Sequence, residues 1–461
     1  MNISDQDKAY IQLFEDNRSF IEQQSSPQVN RVREKAFAAF SRNGLPSAKN
    51  EAYKYTPLAP KFKADLPQAF LLNGFPGKAV DSIEFKIREL DAYTIYTFNG
   101  RYIDRGQNGN LPEGLVAGSF AELAGKYPEL IERYYGTLAD SEKDSYVALN
   151  TMFATDGLFI YVPKNLVVEK PLQIVNILAG EKDIMVNQRN FIYVSENAQV
   201  KVLFCDHTGS SNRFVVNTVT EGFVGEAGIL DFYNLQNQHN GTVQVGGYYF
   251  DQESKSLLNA SYFTLNTGIT RNNLFGRLNG SHAENHFYGL YLIDKNQHVD
   301  NYSLIHHAVP DCESNELFKG VMDDSSTGAF TGRILVAPDA QRTNAYQANN
   351  NLLLTSSAKM NTRPQLEIYA DDVKCSHGAT VGQLDEEAMF YLRARGISKE
   401  EANIMLMFAF AYEVLEKIRV PELKEQIREL VEMRFRGELD KCLSCVVCGQ
   451  PGVPHLSTES R

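Results

Sequence analysis

Residues able to do chemistry gather at a few places in this 461-residue chain. In DVKCSHGATVG, Cys375, Ser376 and His377 follow one another. A cysteine thiolate and an imidazole suit iron and other transition metals. On a strand, positions i and i+2 point the same way, so Cys375 and His377 share a face. No third group nearby completes a nucleophilic triad, so chemistry alone favours a packed or hydrogen-bonded pair over a catalytic one. Gly378 and Gly382 give the stretch freedom for a tight exit from its strand. Near the C-terminus, Cys442, Cys445 and Cys448 in KCLSCVVCGQPG have the spacing of part of a ferredoxin-type run without its fourth cysteine. With an outside ligand they could hold zinc or a labile cluster, and they also read as reduced thiols on a tail. His306 and His307 in SLIHHAVPD fall on a strand-like run. Neighbours there point to opposite faces, which argues for structural histidines over a shared metal.

Several function classes lack their signatures. GFPGKA, residues 74 to 79, has neither the spacing nor the Ser or Thr of a Walker A loop, so the chain should not hydrolyse ATP itself. Motifs of the types GxGxxG, GxSxG and HExxH are absent. A net charge of -12 with no basic tract argues against a nucleic-acid partner. The opening MNISDQDKAYIQLFEDN is polar, and no run approaches about 18 apolar residues, so no membrane span or secretory leader is expected. Six cysteines without a disulfide framework fit a reducing compartment, and the expectation is a cytoplasmic protein.

The elements that must position these residues fall into blocks. SPQVNRVREKAFAAFSRNGLP carries a helix start at Ser26 and Pro27, a stop at Gly44 and Pro46, and an apolar stripe through Val29, Val32, Ala36, Phe37 and Phe40. The stretch before it, through Tyr10, Leu13, Phe14 and Ile21, repeats the pattern, which predicts an antiparallel helix pair. After Leu158 short β-rich runs alternate with polar turns for over two hundred residues. VSENAQV, VGEAGIL, DQESKSL and LNGSHAE recur at a near-constant interval, each a turn followed by a strand, as stacked solenoid rungs would produce. A β-sandwich is the rival architecture. From Asp385 the period turns helical, with Ile404, Met407, Phe408, Ala411, Leu415 and Ile418 on one face. Pro421 then opens a second helix, striped by Leu423, Ile427, Leu430 and Val431. The expected division is a helical and mixed region at 1–154, a β core at 155–383, a helical region at 384–440 and a cysteine-bearing tail at 441–461.

DVKCSHGATVGQLDEEAMFYLRARGIS resembles the signature of the SufB/SufD family, the scaffold subunits of the Suf iron-sulfur cluster assembly machinery. NEAYKYT, HVDNYSLIHHAVPDCES, KGVMDDSSTGAFTGRILV and AQRTNAYQANNNLLLTSSAKMNTRPQLEIYA agree with it in order, so the likeness spans nearly the whole chain. NEAYKYT and the overall length resemble the SufD branch. The resemblance implies a right-handed parallel β-helix between two helical regions and a non-catalytic scaffold. It further implies pairing through the β-helix end with a SufB-like subunit, and C-terminal helices that dock a SufC-like ABC ATPase. The residue matching His377 is implicated by the resemblance in building a transient iron-sulfur cluster at the SufB interface, with Cys375 as its neighbour. A reduced flavin is associated with such complexes, but no residue here marks a site for it. Two other readings remain at this point, a β-solenoid polysaccharide-active enzyme and a purely structural homodimer.

Overall fold

The computed structural model describes residues 3–47, 49–72, 90–106 and 111–438. GFPGKA and the three cysteines at 442, 445 and 448 lie outside the described residues. Two large sheets stack face to face, one of ten strands and one of nine. The chain alternates between them, so that each circuit lays one strand on each sheet, parallel to the strand of the circuit before. This is a β-solenoid, and the parallel registers exclude the sandwich.

The recurring turns carry the repeat. Asn197, Ala227, Lys255 and His282 all adopt the left-handed conformation. Each donates its backbone N–H to the turn of the next rung: Asn197 to Glu226 at 2.9 Å, Ala227 to Ser254 at 2.8 Å, Lys255 to Ser281 at 3.0 Å and His282 to Asp311 at 3.1 Å. These are the turns whose sequence spacing suggested rungs. Stacking satisfies backbone groups that a lone turn would leave to water.

The two ends of the solenoid differ. At the first end the strands Tyr93–Phe98 and Val116–Ser119, from the N-terminal region, join the sheets, and the antiparallel Arg101–Ile103 closes the edge. At the other end the last strands, Lys359–Ile368 and Val373–Gly382, pair on one side only among the described residues.

Helices cover both outer faces. Asp5–Gln23 and Pro27–Asn43 form the expected pair, with Ser26 capping the Val29 N–H and Gly44 ending the second helix at φ 60°. With the helix Ser145–Phe153, buried from Tyr146 onward, they lie over the nine-stranded sheet, where Tyr10, Phe14, Phe40 and Phe153 pack with Met185, Val215 and Val243. Lys399–Leu415 and Pro421–Phe435 cover the ten-stranded sheet. Their Met407, Ala411, Leu415, Ile427 and Leu430 bury Tyr233, Phe263, Leu290 and Leu317. The predicted stripes are these contact faces. Among the described residues no helix is long and apolar enough to cross a membrane.

Candidate functional site at the solenoid end

Cys375, Ser376 and His377 lie in the strand Val373–Gly382, the last of the ten-stranded sheet. Val373 and Cys375 pack inward against Ile334, Val336, Ala340 and Ala345, whereas Thr380 faces outward and donates to Asn350 Oδ1 at 3.0 Å. By alternation His377 therefore faces inward too, at the mouth of the solenoid. Its neighbour in register is Gln347, as that of Cys375 is Ala345. Cys375 is half-buried while His377 is exposed, because among the described residues no rung covers the mouth. Gly378 and Gly382 do not make a turn. Both are strand residues with open space where a side chain would be, and the chain leaves the sheet only at Gln383.

Burial pushes the Cys375 thiol up, with the Ala345 backbone opposing the effect. In this chain alone Cys375 is thus a thiol and not a ready thiolate ligand. Among the described residues no group of three or more His, Cys, Asp or Glu side chains is placed to hold a metal ion. Among the described residues His377 and Cys375 bring two ligands to the mouth, so a tetrahedral site would need others from beyond them.

Directly beneath lies a polar column that motif reading passed over. Gln347 is buried and donates from Nε2 to Glu316 Oε2 at 2.6 Å. Glu316 sits one rung deeper, fully buried, and among the described residues no cation is paired to it. Burial pushes its carboxyl up to about 7, although Ser303 and Gln347 both favour the charged form. The inward phase of ESNELFKGVM, in which Ser314, Phe318 and Met322 are buried partners of Glu316, is the signal that could have marked it. His306 and His307 take opposite faces as alternation requires. His307 points inward and bonds Ser314 Oγ at 2.8 Å, and burial with the His306 charge lowers its imidazole to about 3. His306 is half-buried on the outside, its pKa lowered by burial and by Arg277.

Toward this end of the molecule large apolar side chains stand exposed among charged ones. Tyr346, Ile368, Tyr369 and Val381 are exposed on the last rungs, and Phe390 and Tyr391 on the helix Glu386–Ala394, which buries none of its residues. Exposed side chains of this size with two open strand edges are the marks of a surface that meets another protein.

A family model described as "SUF system FeS cluster assembly, SufBD core domain" matches residues 176–410, and one for the SufBD protein N-terminal region matches residues 4–174. The chain belongs to the SufB/SufD family. The SufD iron-sulfur cluster assembly protein of Escherichia coli is 30% identical, over 86% of this chain and 90% of its own length. A SufBD family protein of Synechocystis is 29% identical over 85% of this chain and 87% of its own, and the SufD of Bacillus subtilis 26% over 70% and 75%. The family's core domain thus contains the mouth, the column beneath it and most of the helix Lys399–Leu415.

Proposed function

We propose that this SufD homologue is a non-catalytic scaffold of a SufB–SufC–SufD-type complex. It meets a SufB-like subunit through the open end of its solenoid and docks a SufC-like ABC ATPase on its C-terminal helices. The observation that carries the reading is an incomplete ligand set at an unpaired sheet end. His377 and Cys375 face a mouth with no further ligand cluster among the described residues, where a second solenoid would continue both sheets and bring its own. The iron-sulfur cluster is cargo there, built transiently and passed on. His377 is the iron-contacting residue of this half, and Cys375 an auxiliary thiol whose pKa drops once a cation sits beside it. ATP turnover belongs to the partner, and the complex works in the cytoplasm. A flavin in the complex would be held by residues outside this reading. The same open edges favour a second state, a homodimer of the isolated chain joined end to end, which the SufB-like partner displaces.

Reconstitution with the SufB-like and SufC-like subunits, iron, a sulfur donor and ATP tests the reading. His377→Ala is expected to leave the assembled complex intact on size-exclusion chromatography and to slow cluster formation at least about tenfold. Cys375→Ser is expected to have the milder effect. Wild-type rates with His377→Ala would remove His377 from the site.

A further inference from the structure

The core beneath the mouth brings three polar atoms to one place. Among the described residues Glu316 Oε1, Gln347 Oε1 and Ser303 Oγ are buried without a well-formed hydrogen bond, although Ser303 stands close enough to Glu316 to favour its charged form. Native interiors leave few such atoms, and each calls for a donor or an acceptor. Ser303 stands on the opposite sheet, next in register to Gly332, and a side chain at Gly332 would run into the Gln347 amide. Glycine there keeps the space Gln347 occupies.

The hydrogen-bond roles then follow from the donor inventory. Gln347 Nε2 donates to Glu316 Oε2, which fixes the amide so that its Oε1 is the end left over. A neutral Glu316, protonated on Oε1, can donate to Ser303 Oγ, and those two atoms satisfy each other. Gln347 Oε1 remains and needs a donor. The residue next in register on the same inward face is His377, about 4.8 Å away along the sheet, within reach of a ring N–H once the exposed imidazole turns down into the mouth.

We propose that Gln347 and Glu316 are positioning residues for His377: Gln347 Oε1 accepts one ring N–H, Glu316 holds the Gln347 amide in that sense, and the other ring nitrogen is left facing out of the solenoid. A histidine that binds a metal through one nitrogen is oriented by the bond its other nitrogen makes. Here the orienting group is a buried amide locked by a buried acid. The proposal rests on His377 being the iron-contacting residue, while the tautomer it sets is a property of this chain alone.

Two measurements separate these levels. Ring nitrogen shifts of ¹⁵N-histidine-labelled full-length chain, with His377→Ala identifying the resonances, report the tautomer without any partner. One tautomer is expected for wild type, and a mixture for Gln347→Leu and for Glu316→Met. The exchange Glu316→Gln with Gln347→Glu restores an acceptor facing His377 and is expected to restore the single tautomer. An unchanged tautomer in a folded Gln347→Leu chain would overturn the proposal and assign Gln347 Oε1 to a trapped water. In the reconstituted complex, Gln347→Leu is expected to slow cluster formation about tenfold and the exchanged pair to recover most of it. If Gln347→Leu shifts the tautomer but assembly keeps its rate, the positioning role for cluster building falls. If His377→Ala itself assembles at the wild-type rate, the scaffold reading fails at this residue, whatever the tautomer.

Discussion

At the scale of single residues, the buried acid and the buried imidazole give this chain two opposed pH dependences. Glu316 moves from its usual 4.5 to about 7, so the folded state holds a proton that the unfolded chain has released between those values. Its contribution to stability is full below about 4.5 and is lost as pH rises through about 7, by up to about 3 kcal/mol. Glu316→Gln is therefore expected to gain stability relative to wild type at pH 8 and little at pH 4.5, in urea unfolding at the two pH values. An equal gain at both would mean that Glu316 is not the titrating group. His307 runs the other way. Lowered from 6.5 to about 3, it stays neutral when folded, so its buried site destabilises the fold as pH falls below about 6.5. His307→Gln is expected to flatten the acid side of the stability curve, and a wild-type acid limb in that variant would count against it. Cys375 and His377 were legible because they are adjacent in sequence and strand alternation fixes their common face. Glu316 and Gln347 were not, because they meet His377 only through rung stacking. That register depends on circuits of uneven length, such as the 31 residues between Glu316 and Gln347, which no local pattern reveals.

At the scale of elements, the N-terminal motif NEAYKYT is a clasp across the outer face of the nine-stranded sheet. Tyr53 donates to Asp144 Oδ2 at 2.9 Å, its ring lies under the Arg271 guanidinium, and Thr56 bonds both Asp300 and His298. Glu51 pairs with Arg363 on the last strand of that sheet. The motif therefore ties the helical region to rungs far along the solenoid. Burial decides which of these bonds matter. Thr56 and Asp300 are buried, so Thr56→Val is expected to lower stability by about 1–2 kcal/mol, since two buried polar groups lose a partner. Glu51→Gln removes an exposed ion pair and is expected to change stability by well under about 1 kcal/mol. Equal losses in denaturant titration would refute the ranking. The helices at either end of the chain were readable because caps and apolar stripes are local signals, and so was the solenoid from its recurrent turns. The clasp was visible only as a motif of the resemblance, because Arg271, His298, Asp300 and Arg363 lie in strands more than two hundred residues away and even Asp144 is 91 residues away.

At the scale of the whole molecule, the C-terminal helices are both core and surface, and the distinction sets how partner docking can be tested. Met407, Ala411, Leu415 and Leu430 cover an apolar face that includes Tyr233, Phe263, Leu290 and Leu317. A chain ending near Leu384 would expose all of it, so loss of a partner in that truncation would report unfolding or aggregation as readily as a missing contact. The helix Glu386–Ala394 offers a cleaner probe, because Phe390 is 75% exposed and Tyr391 56% and the helix buries nothing. Removing either side chain takes no buried packing from the fold, only the exposed stacking of Arg395 on Tyr391, so Phe390→Ser and Tyr391→Ser are expected to leave the thermal midpoint within about 1 °C of wild type. If these aromatics anchor the SufC-like ATPase, each loss weakens its retention by about 2 kcal/mol, roughly thirtyfold, as an aromatic anchor at an interface does. Binding of the SufB-like subunit, assigned to the strands Lys359–Ile368 and Val373–Gly382, should be unchanged, and both affinities can be read by titrating each partner separately. Loss of the SufB-like subunit with the ATPase retained would move the helix into the solenoid junction. Full retention of both partners would leave the exposed aromatics without the role given to them.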